Sequence, residues 1–288
     1  MLRATDRVLT LGSPAFLLAA ALSAQLTDAS FPAHRVIGNV YYVGSRELAS
    51  YLITTPQGHI LINSGMETSV PQIQASVASL GFRFADIKIL LDSHAHLDHV
   101  AGNLRVRQLT GAKVMVMRGD QGIVSSGGKG DFQYSMRWPA CPVDRVLSDG
   151  EAVTLGDVRL AAHLTPGHTR GCTTWTLVVN DNGKPLNVVI VGSPNVNPGY
   201  RLVGNTVYPQ IADDFARTFR VLKALPCDVF LGAHGSYYGM AEKYERIGKG
   251  SANPFLDPAG YQAYVAGTEK AFREKLSKQE AEAKAKKG

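Results

Sequence analysis

The stretch Ile87-Lys-Ile-Leu-Leu-Asp-Ser-His-Ala-His-Leu-Asp-His99 decides how the rest of the 288-residue chain is read. Its first five residues form a short apolar run, which predicts a largely buried strand over 87–91. Its last six residues carry three imidazoles and a carboxylate. Residues at i and i+2 of an extended segment project the same way, so His94 and His96 can grip one ion. Asp98 and His99 begin the turn into a helix, where the chain curls and points them toward a neighbouring position. Two adjacent metals are the geometric expectation, and imidazoles balanced by one carboxylate suit zinc. Buried together without metal, these side chains would leave many polar groups unsatisfied. Isolated histidines such as His34, His59 and His163 read instead as ordinary hydrogen-bonded residues.

Two further histidines stand in similar settings. His168 lies in the tight loop Thr165-Pro-Gly-His-Thr169, just after a strand ending near His163, and His234 follows the apolar strand Val229-Phe-Leu231. Strand-end loops gather at one edge of a layered fold, where sites are usually built. Around them, Val40–Val43, Tyr51–Thr54 and Ile60–Ile62 read as strands, the last two joined by the Thr55-Pro-Gln-Gly58 turn. Val114–Met117, Val158–Leu160, Thr173–Val179 and Val188–Val191 read the same way. Ile73, Val77 and Leu80 are spaced for one helix face, with Thr68 or Ser69 as cap. Further helices are predicted over about 102–109, through Ile211, Phe215, Phe219 and Leu222, and through Tyr261, Val265, Thr268 and Phe272. Residues 119–142 read as an irregular Gly/Ser-rich loop, of which 119–138 is expected to wall a substrate groove. Strands dominate each half and helices follow them, which predicts an α/β fold, an αββα sandwich without an interdomain linker.

Composition narrows the function. With 45% hydrophobic residues the chain builds a sizeable core. Its net charge of +6 does not point to nucleic acid, because Lys270, Arg273, Lys275 and Lys278 alternate with Glu269, Glu274 and Glu280 as on a solvated helix face. Arg3 and Arg7 precede the apolar run Pro14–Ala24, too short and broken for a membrane span, which describes an export signal over 1–24. Cleavage after Ala21, Ser23 or Ala24 fits equally, leaving a domain over 25–288 in the periplasm or outside the cell. The three cysteines, Cys141, Cys172 and Cys227, form no C-x-x-C pair, so no thiolate metal site is indicated. An odd count leaves at least one thiol free or paired with another chain.

The H-x-H-x-D-H signature, the P-G-H-T loop and the strand-end histidine together resemble the metallo-β-lactamase superfamily, from about Val36 to the C-terminal helix. That signature is shared by thioesterases, lactonases and nucleases, so the end of the strand at Val191-Gly-Ser193 discriminates. Most hydrolases of the superfamily place an aspartate there, and the first lactamase subclass has a zinc-binding cysteine at that position; serine resembles the third subclass. Leu164–Trp175, Val196–Tyr200 and Asn253–Pro258 are similar to that subclass as well. The resemblance implies a first zinc on His94, His96 and His168, and a second on Asp98, His99 and His234. It implies that Asp98 orients the nucleophile, that Ser193 holds a water, that Tyr200 sits beside the substrate carbonyl, and that Asn197 contacts substrate. The implied reaction is attack of a zinc-bound hydroxide on the lactam carbonyl without an acyl-enzyme, in a monomer acting on a small molecule, an antibiotic-resistance function. A lactonase or thioesterase on the same fold is the alternative, and a zinc-binding module without catalysis the non-enzymatic one. The subclass often ties the Cys227 position to a cysteine where this chain has Tyr261, so that disulfide is expected to be missing.

Overall fold

Why all the candidate donors end at one edge follows from how the strands alternate. The computed structural model describes residues 28–250 and 252–286; the expected export signal lies outside the described residues. A seven-stranded sheet runs in chain order: β1 (His34–Ile37), β2 (Val40–Tyr42), β3 (Tyr51–Thr55), β4 (Gly58–Ile62), β5 (Ile87–Leu91), β6 (Lys113–Met117) and β7 (Arg145–Leu147). The first four pair antiparallel and the last four parallel. A five-stranded sheet has the order β12 (Val229–Gly232), β11 (Lys184–Val191), β10 (Thr173–Asp181), β9 (Val158–Leu164), β8 (Ala152–Leu155). There only β11 and β12 are parallel.

Period-two patterning sorts the side chains into two clusters. Tyr51, Ile53, Ile60, Ile62, Ile89 and Leu91 face the space between the sheets, where Trp175, Leu177, Val179 and Val188 meet them. Leu52, Leu61, Ile87 and Leu90 face outward, and α1 (Val70–Ser79) and α3 (Asn103–Thr110) cover them with Val70, Ile73, Val77 and Val106. On the other side, α5 (Ile211–Ala224) and α7 (Pro258–Ala285) bring Phe215, Phe219, Val265 and Phe272 onto the second sheet. The result is the expected αββα sandwich.

Some local expectations needed correction. β1, β7 and β8 were not legible, because strands of three or four residues with one to three buried positions give little periodicity. The segment 119–142 contains a short helix, α4 (Gln121–Ser125). Ser69 stands at the start of α1, but its hydroxyl accepts from the Met66 amide rather than capping a helical N–H. All three cysteines are free, and the Tyr261 hydroxyl donates to the Leu222 carbonyl. No helix among the described residues is long and apolar enough to cross a membrane.

Strands β11 and β12 end side by side, with Val191 opposite Gly232, and β9 runs in the same direction two strands away. The end of β5 is stitched to the second sheet at the same edge. The Thr173 amide donates to the Ser93 carbonyl at 2.7 Å, and the Trp175 indole to the Asp92 carbonyl at 3.1 Å.

Candidate metal centre

His94 and His96 leave β5 in extended backbone, and α2 (Leu97–Val100) starts immediately after them with Asp98 and His99 in its first turn. The change from strand to helix splits four neighbouring residues between two directions. His168 joins His94 and His96 from the loop after β9, with ring centroids 4.5 Å and 4.7 Å away. One donor atom from each of the three lies within 4.8 Å of the others. Close to His94, the Asp98 Oδ2 lies 3.3 Å from His99 Nε2 and 3.7 Å from His234 Nε2, and those two nitrogens are 3.1 Å apart.

These spacings can be tested against a tetrahedral zinc ion, whose N and O ligands at 2.0–2.1 Å stand about 3.3 Å from one another. The Asp98–His99–His234 trio meets that spacing. Two neutral imidazoles whose Nε2 atoms are 3.1 Å apart repel unless a proton or a cation lies between them. His96 Nε2 is buried without a hydrogen-bond partner, as expected of a ring oriented for something other than protein. The two trios fit two divalent ions.

Electrostatics agree with five of those donors; for the sixth, His234, burial is outweighed by Glu47 and Asp98, which raise it above the usual histidine value. Burial, reinforced by neighbouring imidazoles, holds His94 and His168 well below the usual histidine range, and burial takes His96 down to about 4 and lowers His99. They are therefore neutral, with lone pairs available, at neutral pH. Burial alone would raise Asp98, but His99 and His234 beside it outweigh that and keep it a carboxylate.

Several supporting residues went unnoticed in the sequence. Asp120 is buried, and its carboxylate accepts from the Ala95 amide at 2.8 Å, the Thr169 hydroxyl at 2.6 Å and the Gly171 amide at 2.7 Å. One side chain thus ties the His94–His96 turn to the His168 loop. His168 Nδ1 is bonded to the Asn195 carbonyl at 2.8 Å. Tyr134, from the loop after α4, places its ring edge-on to His96 at 5.1 Å and accepts from Asn197 Nδ2 at 2.9 Å. No spacing signal marks any of these residues; only the fold brings them near.

The remaining expected site residues divide. Asn197 is bonded to the Tyr134 hydroxyl. Ser193 lies at the end of β11, buried, with its hydroxyl 3.0 Å from that of Tyr237, whose ring is 5.0 Å from His234. Tyr200 is 1% exposed, and its hydroxyl donates to the His168 carbonyl at 2.7 Å, which supports the His168 loop. The whole segment 195–203 is clamped by α7. The Tyr264 hydroxyl accepts from Asn195 at 3.0 Å, Lys275 donates to the Asn197 carbonyl at 2.6 Å, and Gln279 bonds the backbone of Tyr200 and Leu202 at 2.9 and 2.7 Å.

Comparison with known proteins gives a consistent picture. Residues 48–234 match the model of the metallo-beta-lactamase superfamily. Native FEZ-1 metallo-beta-lactamase from Legionella gormanii is 51% identical, with 88% of this chain and 98% of that one covered and a TM-score of 0.87. BJP-1, a subclass B3 metallo-beta-lactamase of Bradyrhizobium japonicum, is 39% identical over 89% and 97%, with a TM-score of 0.83. LRA-12, a class B3 di-zinc enzyme from an Alaskan soil metagenome, is 31% identical over 85% and 94%, with a TM-score of 0.82. Among curated sequences the matches are partial: a probable metallo-hydrolase of Burkholderia pseudomallei is 30% identical over 38% of this chain and 36% of its own length. A hydroxyacylglutathione hydrolase of Maricaulis maris is 34% identical over 28% and 25%.

Proposed function

The chain belongs to the metallo-beta-lactamase superfamily, and from that premise we propose that it hydrolyses the amide bond of β-lactam rings with two zinc ions as cofactor. The observation that carries this proposal is the meeting of two complete donor trios at one edge, beside a strand end that presents Ser193 where a bridging carboxylate would make a different centre.

His94, His96 and His168 would hold one ion, and Asp98, His99 and His234 the other. Bound zinc would supply Lewis acidity and bring the pKa of a water to roughly 7. The chain's own groups do the rest. Asp98, kept ionised by His99 and His234, accepts a hydrogen bond from the attacking water and orients it. The Ser193–Tyr237 hydroxyl pair lies on the His234 side, where it offers hydrogen bonds to water or to a polar group of the substrate. Asn197 and Tyr134 bound the groove on the His96 side and contact the bound ring system. Tyr200 is a positioning residue for His168. With water as the nucleophile no serine is required to attack, and hydrolysis proceeds without an acyl-enzyme. We place the mature domain, residues 25–288, outside the cytoplasm as a monomer, after removal of the signal over 1–24.

The deciding experiment is a hydrolysis panel of a penicillin, a cephalosporin and a carbapenem, beside a lactone and a glutathione thioester. β-Lactam turnover is expected with zinc, to be lost with chelator and regained on adding zinc. Turnover of the lactone or thioester with no β-lactam hydrolysed would overturn the proposal in favour of the alternative activity.

A further inference from the structure

His234 is held differently from the other candidate ligands. It arrives from β12, and its outer nitrogen faces a carboxylate from the opposite end of the chain. Glu47 lies in the loop after β2, and its Oε1 stands 3.3 Å from His234 Nδ1. The same carboxylate accepts from the Ser236 hydroxyl at 2.5 Å and the Ser236 amide at 3.1 Å.

Glu47 is not free to swing away. Its carbonyl accepts from the Gly235 amide at 2.8 Å, and its own amide donates to Asp28 Oδ1 at 3.1 Å. Asp28 also receives the Leu48 amide at 2.8 Å, and Leu48 forms a β-bridge with His234. The two segments touch backbone to backbone. A Cβ on Gly235 would stand 2.6 Å from the Arg46 carbonyl, so glycine is required there.

A neutral imidazole carries one N–H, and the acceptor it meets fixes which nitrogen bears it. An acceptor at Nδ1 places the proton there and leaves the Nε2 lone pair facing Asp98 and His99. Carboxylates in this position raise the donor strength of ligating histidines. Elsewhere in the centre, His168 Nδ1 meets a backbone carbonyl and His94 Nδ1 a hydroxyl at 3.3 Å, both uncharged.

We propose that Glu47 is the positioning residue of the second metal position: by fixing the tautomer and aim of His234, it sets how tightly the Asp98–His99–His234 trio keeps its ion and leaves the His94–His96–His168 trio unaffected. The proposal rests on the two-zinc function above. Zinc stoichiometry and affinity would be measured on the mature protein by competition with a chromophoric chelator, and the cobalt-substituted absorption spectrum recorded in parallel. Wild type is expected to bind two ions. Glu47→Ala and Glu47→Gln are expected to keep one unchanged and to weaken the other by about 10–100-fold, with loss of the cobalt bands of one site only. Ser236→Ala, which leaves the His234 contact in place, is expected to bind both ions like wild type. If the Glu47 variants bind both ions with wild-type affinity, weaken both alike, or behave no differently from Ser236→Ala, Glu47 serves only the local turn and the inference is wrong. A wild-type chain that binds fewer than two ions would instead sink the two-zinc function itself.

Discussion

The two halves of the metal centre use the same kinds of donor and are built in opposite ways. The His94–His96–His168 trio is braced from within. The buried Asp120 carboxylate joins its two segments, Tyr200 supports the His168 loop, and the Asn195 carbonyl fixes the His168 ring. The Asp98–His99–His234 trio leans on a surface loop, with the Glu47 side chain 44% exposed and Asp98 29% exposed. One trio is therefore braced wholly from the packed interior, and the other through a backbone-anchored but partly exposed carboxylate, closer to solvent.

Single substitutions test this contrast most severely. His168→Ala should abolish measurable β-lactam hydrolysis and first-ion binding, whereas His234→Ala should still retain one zinc. If metal analysis found the reverse order of retention, the contrast would be broken. Asp120→Ala should come next. It leaves three buried donors without an acceptor, which predicts a loss of about 3–5 kcal/mol in urea unfolding, already in the metal-free chain. A loss below about 1 kcal/mol would show that the two segments hold together without it.

Acid should sharpen the same point. His94, His96, His99 and His168 all have folded values below the free 6.5, so the unfolded chain binds more protons as pH falls. Metal-free stability is thus fully present above 6.5 and is lost toward about 4, with His96 alone accounting for about 3 kcal/mol. Flat stability between pH 7 and 5 would contradict the burial of these rings as neutral groups. The smallest effect is expected for Tyr200→Phe. It removes one hydrogen bond to the His168 carbonyl, costs about 1 kcal/mol, and changes kcat/KM less than tenfold. A hundredfold fall in kcat with intact metal content would return Tyr200 to the substrate.

Legibility in the sequence followed distance along the chain. The run from His94 to His99 announced itself because its donors are neighbours and the backbone change from strand to helix can be inferred locally. His168 and His234 were found through the apolar strands that precede them. Glu47 and Asp120 were not, since a lone carboxylate in Ser45-Arg-Glu-Leu48 or Arg118-Gly-Asp120 carries no pattern. Glu47 meets its partner 187 residues later. For Tyr200, Pro-Gly-Tyr predicts a turn, but not on which side of the backbone the ring is buried. The sheets were legible wherever strands alternate or are wholly apolar, and β7 failed because only Leu147 of its three residues points inward.

The grip of α7 on residues 195–203 has a practical consequence for engineering. Tyr264, Lys275 and Gln279 lie along one side of the last helix and hold the far wall of the groove. Protein fused to that terminus, or a cut made ahead of Lys275, would loosen residues 197–202 and, through Tyr200, the support of the His168 loop. The tail of the molecule thereby offers a remote handle on which drugs are accepted.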